Sequence, residues 1–170
     1  MMLTIRVFAG FVLMASAAVL GAALYSQYFG GLAPCELCLL QRWPWAAAIT
    51  IAIVALFVGQ DRSLRGVALV LGLVFLASIG FAFYHVGVEQ HWFAGPSACT
   101  ASAAPTSLEA MRQQILNAQV VRCDEPQWSL IGVSLAGWNL LASIVMALIC
   151  AGAFWYARPV RRIGPAGQRI

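Results

Sequence analysis

Lysine is absent from the sequence, and charge of either sign is scarce. Only 9% of the 170 residues are charged, whereas 62% are hydrophobic, and the mean hydropathy is +0.84. One small soluble core cannot bury that much apolar surface, so a soluble globular domain is excluded. A strict alternation of apolar and polar residues is also missing, which argues against a membrane β-barrel. The environment that remains for the apolar surface is the interior of a lipid bilayer.

Long uncharged runs occur four times in the chain. They are Val7 to Phe29, Trp43 to Gln60, Gly66 to Tyr84 and Ser129 to Ala157. A hydrocarbon core about 30 Å thick is crossed by roughly 20 helical residues, and each run meets or nearly meets that length. We therefore predict an all-α membrane protein, a four-transmembrane-helix bundle in a single membrane domain over residues 1–170, with spans near 7–29, 43–60, 66–85 and 131–157.

The first run also has features of a signal peptide. Arg6 precedes it, and the small residues Gly21, Ala22 and Ala23 lie near its end. Its apolar core is longer than the roughly 7 to 15 residues of a signal-peptide core. We therefore interpret the run as a retained helix.

The arginines predict the orientation of the bundle. Since lysine is absent, arginine supplies all ten positive side chains. Seven would lie on the side of both termini: Arg6, Arg62, Arg65, Arg158, Arg161, Arg162 and Arg169. Three would lie opposite: Arg42, Arg112 and Arg122. The positive-inside rule then predicts cytoplasmic termini and outer loops over about 30–42 and 86–130. This topology explains the basic C-terminal tail, so the expected partner is membrane lipid and not nucleic acid.

The second outer loop contains a helix signal. Thr106 and Glu109 have the spacing of a capping box, and Pro105 precedes them. The pattern predicts a short surface helix that begins at Ser107. It would either lie flat on the membrane or pack on its own loop.

The cysteines are divided between the two outer loops. Cys35 and Cys38 lie in the first loop, and Cys99 and Cys123 lie in the second. All four therefore fall outside the cytoplasm, in the compartment where disulfides persist. Cys150 lies inside the fourth span, where we expect it to be a small apolar packing residue.

The C-x-x-C pair is typical of three kinds of site. It can exchange a labile disulfide, bind a metal ion, or form a plain structural crosslink. Zinc sites usually repeat C-x-x-C twice, but here 23 residues separate Cys99 from Cys123, so we expect no metal. Haem attachment is excluded because Leu39, and not histidine, follows Cys38. Redox exchange and structural disulfides both remain open.

Arg42 favours redox exchange. Pro44 is best tolerated near a helix start, so the second span should begin next to Arg42. The guanidinium and the positive helix end would both favour a thiolate at Cys38, about one turn earlier, and an anionic acceptor. Alternatively, Arg42 is a topological anchor that reaches the lipid headgroups.

Several motifs together resemble the disulfide bond formation protein B family, DsbB. The first is P-C-x-x-C with an arginine four residues later, at Pro34, Cys35, Cys38 and Arg42. The others are the four spans, the second cysteine pair, and the segment CDEPQWSLIGVSLAGWN that leads into the fourth span. The resemblance implies a thiol:quinone oxidoreductase of the bacterial inner membrane. It would reoxidise a periplasmic thioredoxin-fold disulfide donor, DsbA, and pass electrons to ubiquinone or menaquinone.

The resemblance also implies roles for the cysteines. The pair Cys99 and Cys123 would take electrons from the donor, and the pair Cys35 and Cys38 would take them from the second loop. Cys38 would face the quinone beside Arg42. A quinone acceptor is consistent with redox potentials, since only a stronger oxidant can keep DsbA, at roughly −120 mV, oxidised. Nicotinamide chemistry is not expected because no G-x-G-x-x-G follows a strand.

The outer end of the third span carries further polar residues. His91 is a candidate quinone contact by this resemblance, and His85 and Glu89 lie nearby. An ordinary interfacial histidine is the alternative for both histidines. The tryptophans are interpreted first as aromatic residues of the membrane interface: Trp43, Trp45, Trp92 and Trp128.

Two other functions fit the same residues. One is a quinone reductase that serves a different, dedicated thiol partner. The other is a non-catalytic membrane scaffold with two structural disulfides. Quinone-dependent reoxidation of the reduced protein separates an enzyme from a scaffold.

Overall fold

The computed structural model describes residues 4–60, 63–96, 107–109, 112 and 122–157. The helices are α1 (Ile5–Tyr28), α2 (Glu36–Leu40), α3 (Arg42–Val58), α4 (Leu64–Glu89) and α5 (Leu135–Tyr156). The strands β1 (Ser129–Leu130) and β2 (Val133–Ser134) pair antiparallel in a short hairpin.

Four of the described stretches are long and apolar enough to cross a membrane. They are Ile5–Tyr28, Glu36–Val58, Leu64–Glu89 and Leu135–Tyr156. The second stretch combines α2 and α3, which only Gln41 separates. The predicted fold class, an all-α bundle of four membrane-spanning helices, is confirmed, and the chain is a multi-pass membrane protein.

Helix packing pairs α1 with α3 and α4 with α5, and α3 also contacts α4, whereas α1 and α5 barely touch. Small residues such as Ala48 and Ala52 are fully buried along α3 and let its neighbours approach closely. Phe75 of α4 fills the centre of the bundle. Large apolar side chains such as Phe57 and Leu148 face outward, as expected where the surrounding solvent is lipid.

The fourth span begins later than position 131, where the sequence predicted it. Residues 129–134 form the hairpin instead, and α5 begins at Leu135. Ile131 and Gly132 have φ angles of 55° and 75°, the left-handed conformation that a two-residue hairpin turn requires. Ser134 then caps α5, because its hydroxyl accepts the Gly137 N–H at 3.1 Å. The uncharged run concealed this turn, for which Gly132 was the available signal.

The second and third spans also differ from the predicted bounds. A short helix, α2, precedes α3, so the second span begins before position 43. The third extends beyond 85, since α4 ends at Glu89. His85 and Glu89 are four residues apart in its last turns and therefore share one helix face.

The predicted surface helix of the second outer loop lies largely outside the described residues. Leu108, Glu109 and Arg112 have helical conformation. Cys99 and the arginines after position 157 also lie outside the described ranges.

Candidate functional site

Cys35 and Cys38 lie next to each other at the start of α2. The Cys35 sulfur caps the helix by accepting the Cys38 N–H at 3.2 Å, and the two sulfurs are 2.7 Å apart. Both are free thiols. The two sulfurs are therefore adjacent but not bonded, since a disulfide is roughly 2.05 Å long.

The two thiols differ in their surroundings. Cys35 is buried, and its thiol donates a hydrogen bond to the Cys38 sulfur. This hydrogen bond and burial both raise the pKa of Cys35 above its usual value. Cys35 therefore retains its proton, whereas Cys38 is the acceptor of the pair.

Arg42 is fixed against α1. Its Nη1 donates to Gln27 Oε1 at 2.6 Å, and Nη2 donates to the Ala23 carbonyl at 3.4 Å. These contacts use two of the five guanidinium N–H donors. The positive charge also acts on the Cys38 sulfur one turn earlier. Arg42 therefore joins α1 to the segment that carries the cysteine pair.

A cavity of about 380 Å³ lies between α1, the start of α3, and α5. This volume is typical of small-molecule sites. Its polar lining residues are Ser26, Cys38, Gln41, Arg42, His85, Gln127 and Asn139, and side chains such as Val19, Leu20, Leu135 and Trp138 supply apolar wall. The cavity lies at the junction of α1 and α5, the two spanning helices that barely touch.

A chain of hydrogen bonds leads from this cavity to the thiols. Trp45 Nε1 donates to Asn139 Oδ1 at 2.7 Å, and Asn139 Nδ2 donates to Gln41 Oε1 at 2.5 Å. Gln41 Nε2 lies 2.5 Å from His85 Nδ1, and His85 Nε2 lies 3.7 Å from Cys35 Sγ. The chain connects α3, α5 and α4 to α2.

Glu89 is held beside the same histidine. Its Oε1 lies 3.9 Å from His85 Nε2, and its Oε2 accepts a hydrogen bond from Ser134 Oγ at 2.5 Å. Both the Glu89 and the His85 side chains are almost completely buried. Ser134 therefore links the cap of α5 to the end of α4.

The remaining cysteines occupy two different environments. Cys123 is disulfide-bonded, buried, and packed in one cluster with Cys35, Leu37 and Val88. This contact brings the second loop against the C-x-x-C pair. Cys150 is a free, buried thiol in the bundle core, where it packs near Gly72.

His91 does not lie at the cavity. It is exposed, has a φ of 59°, and donates from Nδ1 to the Glu89 carbonyl at 3.2 Å. His85, on a buried face of α4, lines the cavity instead. The quinone contact at His91 stays a prediction, and His85 is the histidine that the structure places at the cavity wall.

Sequence reasoning missed the polar residues that surround the cysteines and the arginine. Gln27 and Asn139 lie within apolar runs. An amide side chain in a membrane span needs a polar partner, so these two residues could have been predicted to form polar contacts inside the bundle. Trp45 is not an interface residue: it is 2% exposed and bonds Asn139. Trp43, Trp92 and Trp128 are exposed.

The ligand atoms of Cys35, Cys38 and His85 lie within 4.8 Å of one another, a separation that would also suit a metal ion. A thiol pair held by a metal could not alternate between dithiol and disulfide. The two uses of the site are mutually exclusive, and a metal-free site stays a prediction.

The protein is a helical membrane bundle with two adjacent thiols. One of them, Cys38, lines a cavity between the spans. These features place it in the class of membrane dithiol proteins. The family model described as disulfide bond formation protein DsbB matches residues 5–153. The chain belongs to the DsbB family of disulfide bond formation membrane proteins. The resemblance noted in the sequence is thereby confirmed.

Relatives in the same family match most of this chain. Disulfide bond formation protein B of Stutzerimonas stutzeri is 30% identical over 143 residues, which cover 79% of this chain and 85% of the relative. Disulfide bond formation protein B 1 of Pseudomonas fluorescens is 33% identical over 136 residues, covering 78% and 79%. Disulfide bond formation protein B of Herminiimonas arsenicoxydans is 31% identical over 142 residues, covering 81% of this chain and 87% of the relative. No solved structure matches the chain significantly.

Proposed function

We propose that this chain is a thiol:quinone oxidoreductase of the bacterial inner membrane, with both termini in the cytoplasm. It reoxidises a periplasmic thioredoxin-fold donor of the DsbA type and passes two electrons to a membrane quinone. One observation carries the proposal: Cys38 and Arg42 line the same cavity between two membrane-spanning helices, and Cys35 lies directly beside Cys38. Membership of the DsbB family supports it.

The cavity fits a quinone headgroup in size and chemistry. Its volume of about 380 Å³ accommodates one substituted ring. Quinone carbonyls accept hydrogen bonds, and the Arg42 guanidinium supplies donors at the wall. The cavity lies where α1 and α5 barely touch, and in the proposal an isoprenoid tail leaves the cavity between these two helices. A quinone supplies an acceptor for two electrons and two protons.

The proposed path for the electrons begins in the second loop. A donor thiolate attacks Cys99 in a disulfide with Cys123, and Cys123 leaves as a thiolate. Cys123 then attacks Cys35, the Cys35–Cys38 bond breaks, and Cys38 leaves as a thiolate. The place of Cys123 and Cys35 in one buried cluster supports this order. The second donor thiolate attacks the donor sulfur bonded to Cys99, which releases the donor disulfide and a Cys99 thiolate. Cys99 then attacks Cys123, which re-forms their disulfide and releases Cys35, so one donor dithiol becomes a disulfide and the Cys35–Cys38 disulfide becomes a dithiol.

Arg42 stabilises negative charge at the cavity wall. Its fixed guanidinium favours the Cys38 thiolate as a leaving group and favours an anionic acceptor. Gln27 and the Ala23 carbonyl hold the guanidinium in place, so little reorganisation is needed. Cys35 keeps its proton while the pair is reduced, which directs reactivity to Cys38.

Reoxidation of the reduced, purified protein tests the proposal. Ubiquinone or menaquinone is added without oxygen, and remaining thiols are counted by maleimide mass tagging. We expect four thiols to be oxidised, leaving only Cys150. Cys38→Ser should show no quinone-dependent loss of thiols, whereas Cys150→Ser should behave like the parent. If neither quinone oxidises the thiols of the parent protein, the chain is a scaffold.

The donor is tested separately. A reduced thioredoxin-fold protein with C-x-x-C is added to the oxidised chain with quinone in excess, and its disulfide is quantified. Catalytic oxidation over many turnovers supports a DsbA-type donor. Quinone-dependent reoxidation of the chain without turnover of this donor would indicate a different, dedicated thiol partner.

A further inference from the structure

The chain of hydrogen bonds from Trp45 to His85 has a fixed direction. It joins four side chains through Asn139 and Gln41, and each contact lies within hydrogen-bond distance. Trp45, Gln41 and His85 are buried, so water does not replace these bonds. The mechanism proposed above gives no role to Trp45 or Asn139.

The indole of Trp45 determines that direction because it can only donate. Asn139 must therefore present Oδ1 to Trp45, which turns Nδ2 towards Gln41. Gln41 must present Oε1 to Asn139, which turns Nε2 towards His85. Each amide has one acceptor and one donor, so the orientation of the first amide fixes that of the second.

An amide nitrogen only donates, so His85 Nδ1 must accept and carries no proton. The ring proton lies on Nε2, the nitrogen that faces Cys35 Sγ at 3.7 Å and Glu89 Oε1 at 3.9 Å. We propose that Trp45, acting through Asn139 and Gln41, holds His85 as the neutral Nε2–H tautomer, a hydrogen-bond donor to the Cys35 sulfur and not a base. Trp45 and Asn139 are positioning residues in this proposal. Only the importance of His85 for thiol exchange rests on the proposed function.

A charged His85 would break the chain. An imidazolium carries a proton on Nδ1, so Gln41 would have to present Oε1 to it and Nε2 to Asn139. Asn139 would then either face that nitrogen with its own Nδ2 or turn Nδ2 towards the Trp45 indole. Each arrangement brings two donors together in a buried site, which is unfavourable.

The charged groups around His85 act against this constraint. Glu89 on the same helix favours an imidazolium, and other ionisable groups line a smaller cavity with His85: Cys35, Cys38, Arg122 and Glu125. The proposal states that the hydrogen-bond chain outweighs the field of these groups and holds the ring neutral.

Nitrogen NMR of the two histidines tests the proposal directly. The full-length protein is labelled with ¹⁵N-histidine in detergent micelles, and His91→Asn leaves His85 as the single histidine. Asparagine tolerates the left-handed backbone at position 91. We expect a pyridine-type Nδ1 and a pyrrole-type Nε2 at neutral pH. A protonated Nδ1 in this protein overturns the proposal.

Two substitutions in the same background test the source of the constraint. Trp45→Phe removes the donor and keeps an aromatic ring against Phe75. The Trp45 and Phe75 rings meet edge-on, with their centroids 5.3 Å apart. His85 should then populate both tautomers. Gln41→Glu replaces the donating amide with a carboxylate, and a proton should appear on Nδ1. Unchanged His85 signals in either folded variant contradict the proposal. If Trp45→Phe does not fold, Gln41→Glu alone tests the source of the constraint.

Ser143→Ala is the matched control. Ser143 lies one turn deeper than Asn139 on α5 and bonds Ser78, not the chain to His85. Its replacement should leave both His85 signals unchanged, and altered signals would show that they report general loosening of the bundle. The NMR measurement needs neither quinone nor donor. If His85 is neutral with its proton on Nε2 but quinone does not oxidise the protein, only the proposed function is contradicted. If His85 is charged in an active enzyme, only this inference is contradicted.

Discussion

Arg42 and Gln27 form a hydrogen bond of 2.6 Å between the first residue of α3 and the last turns of α1. The contact places a guanidinium at the wall of the cavity that Cys38 also lines. An arginine that served only as a headgroup anchor would extend away from the bundle. Its attachment to α1 instead predicts that charge at this point serves the acceptor.

Arg42→Met should raise the apparent KM for quinone by about tenfold or more, because a charged hydrogen-bond donor contributes about 1.5–3 kcal/mol. Thiol exchange with the donor should be largely retained. Arg42→Lys should be intermediate, since lysine keeps the charge but loses the planar fork. Steady-state kinetics with varied quinone, and single-turnover exchange without quinone, separate the two effects. Parent-like kinetics in both variants would return Arg42 to the role of an anchor.

Gln27→Leu should weaken quinone binding less than Arg42→Met, because the guanidinium remains but loses one of its fixed positions. We expect a few-fold rise in KM with kcat nearly unchanged. Thr50→Val is a matched control on α3, since the Thr50 hydroxyl bonds only the Ala46 carbonyl of its own helix. A KM for Gln27→Leu equal to that of the control would show that α1 does not position Arg42.

Cys35→Ser and Cys38→Ser should each abolish quinone-dependent oxidation of the donor, because one thiol cannot re-form the exchanging disulfide. Cys150→Ser should be nearly silent, since its buried thiol packs in the bundle core. Activity is measured as quinone reduction per minute at equal amounts of folded protein. Full activity in either of the first two variants would remove the catalytic role of the pair.

The sequence predicted the helices better than it predicted the site. Uncharged runs reveal membrane spans because lipid excludes charge, and the C-x-x-C motif with Arg42 is contiguous in the chain. The residues around them are not: Gln27, Trp45 and Asn139 come from three separate spans, and only packing brings them together. His91 and His85 differ by six positions, and the choice between them depended on where α4 ends. That end could not be read from an apolar run that fades gradually into polar sequence.

His91→Asn and His85→Asn test which histidine contacts the quinone. His91→Asn should leave the KM for quinone within about twofold of the parent, because His91 is exposed and does not line the cavity. His85→Asn should slow quinone-dependent oxidation clearly, because it removes a group from the cavity wall and a donor to Cys35. The reverse ranking in the same kinetic assay would identify His91 as the quinone contact.

The order of attack in the second loop is tested by trapping. Cys123 packs against Cys35 in one buried cluster, so it is placed to carry electrons inward rather than to meet an incoming protein. When the oxidised donor is added, Cys123→Ser should therefore accumulate a covalent adduct in which Cys99 has attacked the donor disulfide, because the thiol that would resolve the mixed disulfide is gone. Nonreducing gels should show a band that disappears on addition of reductant, and Cys99→Ser should give much less of it. A stronger band from Cys99→Ser would exchange the roles of the two cysteines. The absence of any adduct from either variant would argue against a thioredoxin-fold donor, since attack by such a donor must pass through a mixed disulfide.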